Sequence, residues 1–359
     1  MIIESIDLKN YRNYDILNLS FDKNINIFHG DNAQGKTNIL EAIYVVSTTK
    51  SHRTSKDREL ISFENDESHI KAIINKKGIS YRIDMHLKKN KTKGIAVNGI
   101  PIKKSKDLFG IVNIVFFSPE DLNIVKNGPS ERRRFIDMEL CQLNKIYMSN
   151  LDNYNKSLMQ RNKLLKELGF NRENMDTLDL WDMNLVKYGK EVIKSRTEFV
   201  EKLNTIIKEI HKNLTGGNET IDIKYEPSVT IDNFEKILSK NRQSDIKTGN
   251  TNYGPHKDDL CFEIEGIDVR KYGSQGQQRT VALSLKLSEI ELVKTIINDN
   301  PILLLDDVLS ELDAKRQNYL LNSIKDVQTI ITCTGLDDFI NNRFNINKTF
   351  KVEKGMVLK

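Results

Sequence analysis

The stretch Gly30-Asp-Asn-Ala-Gln-Gly-Lys36-Thr37 decides how the rest of the chain is read. Glycines at both ends of a short polar loop, followed at once by Lys and Thr, give the spacing of a phosphate-cradling P-loop. The neighbours agree with the spelling. Ile25 and Ile27 make a short strand before the loop, and Ile39, Ala42, Ile43 and Val46 put an apolar face on a helix after it. A strand, loop and helix in that order turn backbone N–H groups and the positive end of a helix dipole toward an anion. Gly30, Asp31, Asn32, Ala33, Gln34 and Gly35 are then the cradle of a nucleoside triphosphate, ATP. Lys36 is expected on its β- and γ-phosphates and the Thr37 hydroxyl on Mg2+.

A P-loop needs a carboxylate from a second buried strand. Ile302-Leu-Leu-Leu-Asp306-Asp307 supplies an apolar run ending in two acids, the pattern of a parallel strand covered on both faces. Asp306 is the expected metal-side carboxylate, and Asp307 is placed to orient or deprotonate the attacking water. A third segment, Lys271-Tyr-Gly-Ser-Gln-Gly-Gln-Gln-Arg279, precedes a helix pattern through Val281, Leu285 and Ile290. Alone it is an ordinary helix cap. In the order P-loop, this loop, two-acid strand and the acid-ending turn Ser310-Glu-Leu-Asp313, it reads as a second phosphate-binding surface. One subunit's P-loop already covers the phosphates, so this loop is expected to meet the γ-phosphate held by a partner subunit.

Composition bounds the rest. The 359 residues suit roughly two domains, and 38% apolar residues can give each a core. The apolar runs fall far short of the ~20 residues of a membrane helix, and the alternating start Met1-Ile-Ile-Glu lacks a signal-peptide pattern. A cytoplasmic protein without a membrane partner is expected. Cys141, Cys261 and Cys333 have no metal-ligand spacing. The net charge of +5 is uneven: residues 50 to 106 hold 15 Lys and Arg against 6 Asp and Glu, leaving −4 for the remainder. Such a basic region suits phosphates, although charge runs are more often only solvated surface.

Changes in hydrophobic period mark three regions. Residues 1–125 hold the P-loop and a strand-rich lobe, with hairpin signals at Asn75-Lys-Lys-Gly78 and Asn98-Gly99. Residues 126–250 carry two helical stripes. One runs from Leu140 to Leu165, interrupted at Arg161, and the other from Trp181 to Ile210, with polar Arg196 in an expected apolar place. Two helices of ~35 residues, each ~50 Å long, turning near Gly169, make an inserted arm. Residues 251–359 return to the first lobe. The expected fold class is α/β: an ABC-type P-loop ATPase head with an antiparallel β-lobe and an inserted helical arm.

At these residues the chain resembles the ABC-type ATPases of the SMC class and, within them, the RecF family of bacterial recombination mediators. Besides the P-loop, the likeness rests on Phe117-Ser-Pro-Glu-Asp121, Gly128-Pro-Ser-Glu-Arg-Arg-Arg-Phe-Ile-Asp137, Gly254-Pro-His-Lys-Asp-Asp259, Ser274-Gln-Gly-Gln-Gln-Arg279 and Leu303-Leu-Leu-Asp-Asp-Val-Leu-Ser-Glu-Leu-Asp313. The resemblance implies an ATP-dependent homodimer with slow hydrolysis that binds duplex and gapped DNA. It further implies action with RecO and RecR to load RecA, in DNA repair and the SOS response. Ser274, Gly276 and Gln277 would lie on the partner's γ-phosphate and Asp313 at the dimer seam. Arg12, in Asn10-Tyr-Arg-Asn13, matches a nucleotide-contacting motif of related heads, with a surface arginine the competing reading. Two departures from the wider ABC pattern fit this family: Ser-Gln-Gly-Gln in the signature, and Asp307 in place of a catalytic Glu. No His follows the next strand, where Ile331-Thr332-Cys333-Thr334 stands.

DNA contact is expected at Lys88, Lys89, Lys91 and Lys93 near one hairpin tip, and at Arg132, Arg133 and Arg134, which could instead pair with acids of the head. Three rival readings remain at this point. A transporter ATPase would lack the helical arm, a small-molecule kinase has no use for the loop at Ser274, and a non-enzymatic protein would keep ATP only as structural glue.

Overall fold

The computed structural model describes residues 1–104, 107–169, 175–336 and 346–358. They form two compact units, Met1–Asp121 with Lys286–Lys359, and Leu122–Leu285.

The first unit contains two sheets. The antiparallel one joins β1 (Ile2–Tyr11), β2 (Tyr14–Ser20), β4 (Glu67–Lys76), β5 (Ile79–Lys88), β6 (Lys91–Val97) and β7 (Ile100–Pro101) in the order β2-β1-β4-β5-β6-β7. Its tight turns are the ones expected: Lys77-Gly78 and Asn98-Gly99 take positive φ (52° and 82°, 52° and 80°), the geometry of two-residue hairpins that match strand twist. The second sheet holds β3 (Ile25–His29), β8 (Ile114–Phe117), β12 (Ile302–Asp306), β13 (Thr329–Cys333), β14 (Lys348–Glu353) and β15 (Met356–Leu358), ordered β15-β14-β3-β13-β12-β8. All pairings there are parallel except β14 with β15.

Helix α1 (Lys36–Thr48) packs on β4 of one sheet and on β8, β12 and β13 of the other. That explains a helix buried from Ile39 to Thr48 with hardly any polar face. The parallel register sets Asp306 opposite Thr332 and Cys333 opposite His29, so the carboxyl ends of β3, β13 and β12 meet in one place. Ligands in parallel sheets bind at such ends.

The second unit is mostly helical: α2 (Leu122–Lys126), α3 (Pro129–Leu143), α4 (Lys145–Leu168), α5 (Met175–Thr215), α6 (Phe234–Lys240), α7 (Arg242–Thr248) and α8 (Val269–Tyr272). A small sheet of β9 (Ile221–Glu226), β10 (Asp259–Ile264) and β11 (Ile267–Asp268) completes it, and α9 (Gln275–Ile297) carries the chain back into the first unit. Helices α4 and α5 run antiparallel, with Leu164, Leu165 and Leu168 clustered on Leu178 and Gly189 so close to Phe234 and Tyr154 that a Cβ would lie 2.4 Å from the Phe234 ring.

Three expectations change here. The first long helix breaks at Asn144, whose side chain caps α4 by accepting from the N–H groups of Ile146 and Tyr147, so α3 and α4 are separate and α5 alone reaches 41 residues. The second unit runs on to Leu285, past the expected boundary at 250/251, because β10 pairs along its whole length with β9. The polar interruptions are buried ionic centres. Arg161 bonds Asp182 (2.6 Å), Asp245 (2.8 Å) and the Thr251 hydroxyl (2.7 Å), and Arg196 bonds Asp137 (2.8 Å), Asp258 (3.2 Å) and the Pro255 carbonyl (2.7 Å). Both guanidiniums are almost wholly buried. The expected turn beyond Gly169 lies partly outside the described residues.

Candidate nucleotide-binding site

The loop from Gly30 to Lys36 leaves β3 and enters α1, as its motif demands. Glycine is required at its ends. Gly30 has φ 147°, and a Cβ there would lie 2.3 Å from the Val352 carbonyl oxygen; Gly35 has φ 111°, and a Cβ would meet the Asn13 amide at 2.5 Å. Neighbouring residues clasp the loop. The Gln34 carbonyl accepts from Asn13 Nδ2 (3.2 Å), the Gly35 carbonyl from the Tyr14 hydroxyl (3.0 Å), and the Gln34 side chain from the Lys354 N–H (2.6 Å). Asp31, Asn32 and Ala33 are exposed at the tip.

Lys36 is 5% exposed and donates from Nζ to the carbonyls of Gly30 (2.5 Å) and Asp31 (2.9 Å). Both partners are carbonyls, so an anion entering the loop displaces no carboxylate from this ammonium. Thr37 Oγ1 donates to Asp306 Oδ1 at 2.9 Å, and Thr332 Oγ1 donates to the same oxygen at 2.7 Å. Burial raises the Asp306 pKa, and these two hydrogen bonds partly offset it. A hydroxyl and a carboxylate converging beside an anion cradle are hard oxygen donors that fit Mg2+.

Asp307 follows with φ 56°, a conformation unusual outside glycine, and its N–H is fixed on the Thr332 hydroxyl (3.1 Å). Thr332 therefore positions both acids. In the sequence this position stands out only for lacking a His; the register of β12 beside β13 is the signal that finds it. Asp313 caps α10 (Ala314–Ser323), accepting from the Arg316 N–H (2.9 Å), and this bond together with the Arg316 charge holds its pKa below the usual range.

Each of the three guanidinium nitrogens of Arg12 bonds the chain itself: Nε (2.8 Å) and Nη2 (2.7 Å) to Glu41 on α1, and Nη1 (2.7 Å) to the Glu59 carbonyl. Burial pushes the Glu41 pKa up, and hydrogen bonds from Arg12 and Ser51 outweigh it. Arg53, which no motif marks, bonds Asn38 on α1 (2.9 Å), and its charge slightly offsets the rise that burial gives the Asp306 pKa.

In the second unit, Ser274 and Gln277 make a reciprocal cap at the start of α9. Gln277 N–H donates to Ser274 Oγ (3.2 Å), and Ser274 N–H donates to Gln277 Oε1 (2.9 Å). The Gln277 amide is steadied by Glu219 at 2.9 Å. Ser274 and Gly276 are exposed.

The expected DNA residues divide. Lys88 and Lys89 flank the β5–β6 tip in surface ion pairs with Glu67 and Asp66, both at 3.3 Å, and Lys91 is exposed. Phe63 is fully exposed beside them, its carbonyl taking Lys89 Nζ at 3.3 Å, an aromatic that charge counting does not reveal. Lys93 is instead tied to Asp57 (3.0 Å) and the Thr49 carbonyl. Arg132 corrects the expectation outright. It is 1% exposed and forked onto Asp259 at 2.6 and 3.0 Å, so it cannot meet a phosphate. Arg133 bonds the Asp258 carbonyl at 2.7 Å, and Arg134 faces solvent.

The family model described as RecF/RecN/SMC N terminal domain matches residues 2–357. A DNA replication and repair protein RecF of Lachnospira eligens is 67% identical over 360 residues, covering all of this chain and 99% of the relative. One of Agathobacter rectalis is 63% identical over 357 residues, 99% of each chain. A solved structure described as the recombination mediator protein RecF-ATP in the RecFOR pathway superposes with a TM-score of 0.93 at 36% identity, covering 99% of this chain and 97% of that one. An SMC head bound to the C-terminal winged-helix domain of ScpA shares the fold at a TM-score of 0.58 and 17% identity, over 99% and 96% of the two chains. Matched from end to end by that model and by relatives of its own length, the chain belongs to the RecF family of DNA replication and repair proteins, with their ABC-type α/β ATPase head.

Proposed function

We propose that this chain is an ATP-driven homodimer that binds duplex DNA beside single-strand gaps, with slow ATP hydrolysis as its switch. In this reading it acts with RecO and RecR to load RecA. The observation that carries the proposal is the joining of Lys36, Thr37 and Asp306 at the strand ends, with Thr37 Oγ1 and Asp306 Oδ1 2.9 Å apart. The solved relative described with ATP supports the substrate, and its assignment to the RecFOR pathway supports the partners.

Thr37 and Asp306 would hold Mg2+, which supplies charge neutralisation at the β- and γ-phosphates. Lys36 turns from the loop carbonyls to the phosphate oxygens. Arg12 keeps one unused N–H on each Nη for the nucleotide. Asp307 orients the attacking water and accepts its proton. Its short side chain, with no His following Thr332, gives slow turnover. The Ser274 hydroxyl accepts from Gln277 N–H and so retains its own proton to donate to a γ-phosphate held by a second copy. Gly276 lets that phosphate approach the backbone, Gln277 is braced beside it, and Asp313 lies at the seam. Duplex phosphates are met by Lys88, Lys89 and Lys91 on the first unit and by Arg134 on the second, contacts that position DNA without reading bases.

Sedimentation velocity without nucleotide, with ATP, and with ATP plus gapped duplex tests the reading. A monomer that dimerises on ATP, and stays dimeric longer as Asp307→Asn, is expected. A monomer in every state overturns it.

A further inference from the structure

Outside the nucleotide site, the described residues hold one group of three metal-capable side chains: Glu67, His69 and His86, whose ligand atoms all lie within 4.8 Å of one another. The sheet builds it. His69 on β4 and His86 on β5 are directly opposite in the antiparallel register, and Glu67, two residues before His69, stands on the same face diagonal to His86. Their alternate neighbours Ser68, Ile70, Met85 and Leu87 are buried, so the three ligands project from the open face. The imidazole rings stack 4.0 Å apart at 21°, and His86 Nε2 is 2.9 Å from Glu67 Oε2. In the next strand the same row carries Gly94, whose missing side chain leaves that flank of His86 open.

The geometry points to a divalent transition-metal site at Glu67, His69 and His86, with Zn2+ as the natural occupant. Two imidazoles and one carboxylate are borderline nitrogen and oxygen donors. They suit Zn2+, Ni2+ or Co2+, while Mg2+ demands oxygen, so this site does not compete for the ion at Thr37 and Asp306. Three protein ligands leave a fourth position for water. The native competitor is Lys88, 3.3 Å from Glu67 Oε2; its side chain is 39% exposed and can swing into water. A bound ion would replace the hydrogen bond between His86 and Glu67 by coordination and tie β4 to β5.

The test uses the untagged full chain. Zn2+ is titrated by competition with a chromophoric chelator, and Co2+ is followed by its visible ligand-field bands. One Zn2+ per chain is expected, with a nitrogen and oxygen Co2+ spectrum lacking thiolate charge transfer, and a rise in thermal midpoint on Zn2+ addition. His69→Ala and His86→Ala should each weaken binding at least tenfold with unchanged circular dichroism, and Glu67→Gln should weaken it less. No binding by the parent chain, binding by both histidine variants as tight as the parent's, or a thiolate spectrum from Cys141 or Cys261 overturns the assignment.

Discussion

His256 makes the stability of the second unit depend on mild acid. Its Nε2 bonds the Thr251 carbonyl at 2.9 Å, and since a carbonyl only accepts, Nε2 carries the hydrogen. Nδ1 then accepts from the Tyr154 hydroxyl at 2.6 Å. Burial, with the nearby charges of Lys257 and Arg133, lowers the His256 pKa from 6.5 to about 4. Charging the ring would set Nδ1–H against the Tyr154 O–H, and burial raises the Tyr154 pKa too far for it to become a phenolate. Between pH 6.5 and 4 the unfolded chain therefore binds one more proton than the folded one at this site, so stability is complete above pH 6.5 and falls as the pH drops toward 4. Each pH unit is worth ~1.4 kcal/mol, and 2.5 units give at most ~3.4 kcal/mol. Asp258, whose pKa burial raises, adds a slope of opposite sign from pH 3.8 upward, so the comparison must isolate the histidine. Trp181 is the single tryptophan and lies on α5, so its fluorescence in urea reports this unit. Unfolding at pH 7, 6 and 5 should give a steeper fall for the parent than for His256→Gln, by close to one proton. Equal slopes, or a ring that titrates near 6.5 by NMR, refute the argument.

Five further outcomes follow. Arg161→Ala leaves the buried Asp245 without its cation, while Asp182 keeps Arg242, and should destabilise the second unit by about 3–5 kcal/mol, measured by the same fluorescence. Gly30→Ala, with φ 147° and a Cβ 2.3 Å from a carbonyl, should abolish binding of a fluorescent ATP analogue while Trp181 unfolding stays unchanged. Turnover measured by phosphate release should be slow; a rate of hundreds per second, well above the ~10 s⁻¹ median of enzymes, would remove the argument from the shorter Asp307. Lys89→Glu with Lys91→Glu should lower the salt slope of duplex binding by about one per lost phosphate contact. Lys93→Glu should instead lower the thermal midpoint, because Lys93 is bound to Asp57 and Thr49.

What could be read from the chain divides along the range of the interactions. The cradle from Gly30 to Thr37 and the hairpin turns at Gly78 and Gly99 were legible because their geometry is set within a few residues: positive φ demands glycine, and a helix N-terminus demands donors nearby. Asp306 was legible because a fully buried strand leaves an unbroken apolar run. The break at Asn144 was not, since α3 and α4 continue one heptad-like spacing and only a capping side chain separates them. Arg161 and Arg196 stood out as polar residues in apolar stripes, yet their partners Asp245 and Asp258 come from 84 and 62 residues away, and no periodicity points to them. Arg132 shows the same limit from the other side. Three consecutive arginines look like one basic patch, but a helix turns about 100° per residue, so Arg132 faces inward to Asp259 while Arg134 faces out. The partition matters for function. The local motif sets the loop between β3 and α1, whereas the buried arginines brace the unit that carries Ser274, and in the dimer proposed above a second copy could share the nucleotide only if that unit keeps its shape. Loss of ATP-induced dimerisation in Arg196→Met, with nucleotide binding by the monomer unchanged, would separate the two roles.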